Sequence, residues 1–203
     1  KNLFEPIRQQ IADSIDALPQ VYGDFTEDEN GSIWAASANG GLVWFDENDS
    51  LFRPAPMDAK AFETLRSKDV FRTFTDSENN IWAVTTTDLY KYITSSKELL
   101  HITTYGKQNA ISGGHEAEVT EDSKGTIWFV HSNLPHPLAF PNRSVDYTIL
   151  NTVRMTPVYI YIDSFGIVWV CDWNTGLYKH VPGRQTFYQP KNKFNGETIW
   201  NNS

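Results

Sequence analysis

The sequence predicts an all-β fold: a β-propeller segment of four consecutive four-stranded antiparallel blades, forming an arc of a larger propeller. Three observations carry this. Four seven-residue segments repeat without gaps, each an Asp followed by a Gly or Asn, then Ile or Val, then Trp: Asp28-Glu-Asn-Gly-Ser-Ile-Trp34, Asp76-Ser-Glu-Asn-Asn-Ile-Trp82, Asp122-Ser-Lys-Gly-Thr-Ile-Trp128 and Asp163-Ser-Phe-Gly-Ile-Val-Trp169. The Trp residues recur at spacings of 48, 46 and 41, the period of a propeller blade. Short apolar runs flank every copy, separated by Gly, Asn and Asp turns.

The runs can be taken in order. Val21 to Thr26, Val70 to Thr75, Glu116 to Thr120 and Val158 to Ile162 read as innermost strands. Ala35-Ala36, Ala83-Val84, Phe129-Val130 and Val170-Cys171 follow the Trp as second strands. Gly41 to Phe45, Asp88 to Tyr92 and Gly176 to His180 read as third strands. Phe52, Ile102 and Phe187 anchor fourth strands. In the third copy, His131-Ser-Asn-Leu-Pro-His-Pro-Leu-Ala-Phe140 replaces the expected third-strand pattern. Blade cores are expected at about residues 18–54, 66–104, 114–150 and 156–190. Segments 5–20 and 53–69 read as irregular loop with at most a helical turn, although Met57 to Leu65 has weak helical periodicity.

The motif has a physical reason. An Asp side chain accepts from backbone N–H groups just ahead of it and forms an Asx-turn. Gly or Asn at the next corner tolerates positive φ. The Trp then sits on the second strand, where its ring fills the wedge between blades. A single blade cannot bury both faces, so neighbours must stack. The recurrence of these Asp and Trp residues at one structural corner favours turn-building and packing over metal or sugar binding.

These segments resemble the two-component regulator propeller repeat, in which an Asp-x-x-Gly-x-Ile-Trp core precedes a Gly-Leu-aromatic strand. Asp28, Gly31, Trp34, Gly41 and Leu42 carry the match in the first copy, and copies two and four match as well. The resemblance implies the extracytoplasmic, periplasmic sensor region of a bacterial hybrid two-component system. It implies an oligosaccharide ligand, signalling to a kinase across the inner membrane, and no enzymatic activity. A looser Gly-x-Ile-Trp pattern also resembles streptogramin-lyase-like propellers. That alternative would need His115, Glu116 and His131 grouped with a divalent metal. A pure protein-interaction scaffold is the third reading.

Composition narrows the function classes. Of 203 residues, 40% are hydrophobic and 14% aromatic, as in a folded globular chain. The net charge is −8 and no basic stripe is present, which argues against nucleic acid or an anionic membrane surface as partner. No apolar run approaches the roughly 20 residues that span a bilayer, so no direct membrane insertion is expected. Cys171 is the sole cysteine, in an apolar strand-like context, which excludes an internal disulfide.

Candidate ligand contacts fall in the turns between second and third strands. There the irregular, length-varying segments gather, and function tends to concentrate in such segments. Trp173 and Asn174, in Asp172-Trp-Asn-Thr-Gly176, stand out, because a Trp between Asp and Asn is poorly explained by core packing. Asn39, His131 and Asn133 occupy equivalent turns. No catalytic residue, metal site or cofactor is expected, since the His spacing fits no zinc pattern and no nucleotide-binding or nucleophile motif occurs. Residues 1–5 read as the outer strand of a preceding blade, and 197–203 as the inner strand of a following one. The expected partners are therefore a small molecule, and further parent blades or a second chain to cover the open blade faces.

Overall fold

The computed structural model describes residues 22–38, 40–48, 51–105, 117–149, 154–181, 183–184 and 186–191. The chain divides into two compact units, 1–103 and 104–203. Each holds two antiparallel sheets in which sequence neighbours pair in order. The expected strands at 1–5 and 197–203 lie outside the described residues.

The first unit begins with the sheet β1 (Tyr22–Glu27), β2 (Ile33–Ser37), β3 (Gly41–Asp46) and β4 (Leu51–Pro54). Helix α1 (Ala59–Arg66) leads to the sheet β5 (Val70–Thr75), β6 (Ile81–Thr85), β7 (Asp88–Ile93) and β8 (Glu98–Thr104). The second unit holds β9 (Ala117–Glu121), β10 (Ile127–His131), β11 (Leu138–Phe140) and β12 (Thr148–Ile149). It ends with β13 (Pro157–Ile162), β14 (Val168–Asp172) and β15 (Gly176–His180). Among the described residues, an isolated bridge from Lys179 to Tyr188 stands where the fourth strand of this last sheet is expected.

Two elements differ from the sequence reading. Segment 53–69 contains an eight-residue helix, longer than the single turn expected. Asp58 caps it, its Oδ1 accepting the Ala61 N–H at 2.8 Å. Leu65, 1% exposed, anchors it beneath Leu42 and Tyr90. The apolar periodicity is weak, but the segment is rich in the good helix formers Ala, Lys, Glu, Leu and Arg, and the cap with one buried anchor stabilises the helix. In the third blade the irregular segment still yields a third strand from its last three residues, Leu138–Phe140, all buried.

Sheets stack face to face within each unit. Trp34 and Ala36 of β2 pack against Ile81, Ala83, Tyr90 and Tyr92 of the second sheet. Trp128 and Val130 of β10 pack in the same way against Ile160, Val168, Val170 and Tyr178 of the fourth. The innermost strands β1 and β5 approach so closely that a Cβ on Gly23 would lie 2.7 Å from the Phe71 carbonyl oxygen.

The repeated turn is built alike in all four blades. Its third residue after Asp has positive φ in every copy: Gly31 at 82°, Asn79 at 65°, Gly125 at 75° and Gly166 at 73°. The Oδ1 of each Asp accepts two backbone N–H groups, from Asn30 and Ser32 in the first copy, both at 2.9 Å. The other oxygen does what the sequence reading did not anticipate. Oδ2 accepts the indole N–H of the Trp six residues on, at 2.9 Å for Asp28–Trp34 and Asp76–Trp82, 3.1 Å for Asp122–Trp128 and 2.9 Å for Asp163–Trp169. Each carboxylate therefore fixes both the turn and the indole, and in Trp34 and Trp128 that ring packs against the next sheet of the same unit.

Candidate functional site

The residues singled out in sequence divide by burial. Trp173 follows β14 and is 70% exposed, its backbone N–H donating to the Thr156 carbonyl at 3.0 Å. Asn174, also exposed, donates its backbone N–H to Asp172 Oδ1 at 2.9 Å and its side-chain amide to Thr156 Oγ1 at 3.1 Å. The buried Asp172 organises this turn, also taking both the backbone N–H and the hydroxyl of Thr175 at 2.6 Å. Its role had no sequence signal beyond its place before the Trp.

His131 departs from the expectation. Its side chain is fully buried, with the ring 4.5 Å from that of Tyr105, and Nδ1 accepts the Asn133 backbone N–H at 3.0 Å. It stands as a turn-closing core residue, with no surface to offer a ligand. Asn133 remains exposed. Asn39, His115 and Glu116 lie outside the described residues. Among the described residues, no group of three or more His, Cys, Asp or Glu is placed to hold a metal ion, and no helix is long and apolar enough to cross a membrane.

A cavity of about 360 Å³ lies in the second unit, between the third and fourth sheets. It opens among the Asp-x-x-Gly turns, at the opposite end of the sheets from Trp173 and Asn133. The sequence reading placed any small-molecule site at that other end, so this cavity was missed. Trp128, Val168 and His180 line its inner part; Ser123, Ser164 and Phe165 belong to its mouth. Phe165 is 84% exposed. The His180 ring lies 5.4 Å from that of Trp128 and 5.2 Å from that of Phe187, and its Nε2 bonds the Arg184 carbonyl oxygen.

The matching interface in the first unit explains the opening. There Trp34 meets Tyr92, with ring centroids 5.6 Å apart, just as Trp128 meets His180. Register makes Tyr92 and His180 equivalent: each pairs with the residue before its motif Trp, Ile81 or Val168. The turn ends of the first two blades are also stitched together. The Glu29 N–H donates to Asn79 Oδ1 at 2.8 Å, and the Thr26 and Thr75 hydroxyls bond at 2.8 Å. In the second unit the equivalents of Asn79 and Thr75 are Gly166 and Ile162, which have no side-chain polar group with which to reach across. A smaller ring and two lost cross-links leave the space open. The repeat alignment already held this signal, in Gly166 against Asn79 and His180 against Tyr92.

Electrostatics distinguish the second blade. Burial pushes the Asp76 carboxyl up, but the Asn80 backbone N–H, the Trp82 indole and the Lys91 ammonium together outweigh it and hold the pKa below 3.8. The Trp169 indole N–H likewise lowers that of Asp163. Burial alone raises the Tyr92 phenol to about 12 and raises the Cys171 thiol.

No protein-family model matches the sequence, and no curated protein matches it. Solved structures do match in fold. Virginiamycin B lyase from Staphylococcus aureus superposes with a TM-score of 0.59 at 15% identity, over 87% of this chain and 57% of that one. The extracellular domain of BT3049 from B. thetaiotaomicron, named as a hybrid two component system, gives 0.54 at 18% identity, over 75% of this chain and 19% of that one. The extracellular domain of BT4673 from the same organism, named as a one component system, gives 0.57 at 12% identity, over 84% and 22%. This chain thus spans little more than half of the lyase and about a fifth of the two extracellular domains. At such identities the likeness establishes the fold alone, and that fold is the β-propeller, shared by sensor domains and lyases.

Proposed function

We propose that this chain is a ligand-sensing, non-enzymatic segment of a periplasmic propeller in a two-component receptor, and that its ligand is an oligosaccharide. The observation that carries the reading is the cavity between the third and fourth blades, where an aromatic floor meets hydroxyl-bearing turns. Concave sites with apolar walls and a few placed polar groups are the usual form of small-molecule sites. The repeat resemblance and the likeness in fold to two extracellular receptor domains support the same reading. The lyase alternative has a likeness in fold behind it too, but the burial of His131 speaks against its use as a catalytic base. Titration of the full chain with a panel of plant and bacterial oligosaccharides, followed by thermal shift and calorimetry, tests the proposal. A saturable rise in melting temperature with at least one saccharide, unchanged on recovery, is expected. Failure of every saccharide to bind, or a metal-dependent conversion of a streptogramin, would overturn it.

A further inference from the structure

We infer that the gap between the third and fourth blades is a binding site for a single sugar ring, the terminal residue of the oligosaccharide; this rests on the proposed sensing function and assigns it a place. The volume, about 360 Å³, lies at the small end of ligand pockets, which span about 300–1,000 Å³. That suits one ring better than a chain. The rest of the saccharide would leave through the mouth.

The lining has the chemistry such a ring requires. Pyranoses present a face of C–H groups and a rim of hydroxyls. The exposed ring of Phe165 offers the aromatic surface, while Trp128, 4% exposed, closes the floor with no more than an edge, held in place by the bond from its N–H to Asp122 Oδ2 at 3.1 Å. A floor already fixed loses little freedom on binding. Ser123 and Ser164 stand on facing turns, one from each blade, and each hydroxyl both donates and accepts. Phe165 is 84% exposed at the mouth, so its ring gains burial only when something covers it. The Asp122 carboxylate is not a ligand group: its oxygens already hold two backbone N–H groups and the indole.

The first unit supplies the design of the test. Gly166→Asn with His180→Tyr restores in the second unit the residues that close the equivalent interface of the first. Asn is tolerated at this corner, since Asn79 holds φ 65° at the same motif position. The full chain carrying both changes is compared with the unchanged chain, using methyl glucoside, methyl galactoside and the tightest oligosaccharide from the panel as probes. Tryptophan fluorescence and calorimetry are the readouts. The filled variant should melt no lower than the parent and bind the oligosaccharide at least about tenfold more weakly, a change of about 1.4 kcal/mol. A milder variant, Ser123→Ala with Ser164→Ala, leaves the packing untouched and should weaken binding in the same direction, which covers the case in which the filled variant fails to fold. Undiminished oligosaccharide binding by the serine variant and by a folded filled variant would overturn this assignment and leave the sensing function standing. Absence of any saccharide binding by the parent chain would overturn both.

Discussion

Lys91 Nζ lies 3.1 Å from Asp76 Oδ2, and both side chains are almost wholly buried. The same ammonium sits 5.1 Å from the centre of the Trp82 ring. One carboxylate oxygen thus serves an indole N–H and a buried cation at once. Removing one member of a buried ion pair typically costs about 3–5 kcal/mol, because the other charge is left uncompensated. Asp76→Ala should therefore lower stability by about that much in a denaturant titration. Asp28→Ala, in a more exposed turn, should cost markedly less. Equal losses would remove Lys91 from the explanation.

Acid should act through the same carboxyl. Its folded pKa lies below the ordinary 3.8, so the ionised form stabilises the fold. That contribution is complete above the unfolded value and is lost as pH falls through the folded one. Stability should decline below about pH 4. In Asp76→Asn the decline should be shallower, as read from unfolding curves across that range.

Ring and N–H can be separated at Trp82, which is fully buried. Trp82→Phe keeps an aromatic ring but gives up the bond to Asp76, at about 1–3 kcal/mol. Trp82→Ala also opens a cavity, at about 3–5 kcal/mol. Melting temperatures should fall in that order, and an Ala variant that melts like the parent would exclude a packing role.

Gly23→Ala should destabilise the first unit although position 23 is exposed. Its Cβ would meet the Phe71 carbonyl oxygen at 2.7 Å and force the two innermost strands apart. Overpacking of this kind costs about 1–3 kcal/mol. Hydrogen exchange at the Thr73 amide, which donates to Asp24 Oδ2 at 3.1 Å, would report the loosened contact as lost protection.

The thiol of Cys171 should react slowly. Burial raises its pKa, which lowers the thiolate fraction near neutral pH. Alkylation by iodoacetamide should be slower in the folded chain than after denaturation. Equal rates would show that the strand leaves the thiol open.

Much of the fold was legible because its marks are local. Asp, Gly and Trp lie within seven residues of each other, and β5, read as Val70 to Thr75, has those bounds in the structure. The indole-to-carboxylate bond escaped notice because the pattern fixes spacing but not which oxygen faces which side. The cavity was harder still. It depends on Trp128 facing His180 and on Ser123 lying opposite the turn of Gly166, pairs more than forty residues apart that only the stacking of the third sheet on the fourth brings together. The burial of His131 was hidden for the converse reason: a polar residue in a turn-like segment is enclosed by Tyr105 and Phe129.

The bond from Asp to Trp has a consequence for assembly of the repeat. It links residues only six apart, so its loop-closure entropy is low and it needs no partner blade. Each innermost hairpin can therefore organise its own ring before any neighbour docks, and contacts of such low sequence separation favour rapid formation. An array built this way can grow by duplication. A new copy arrives with its side chain already aimed, and selection is left to work on the seams.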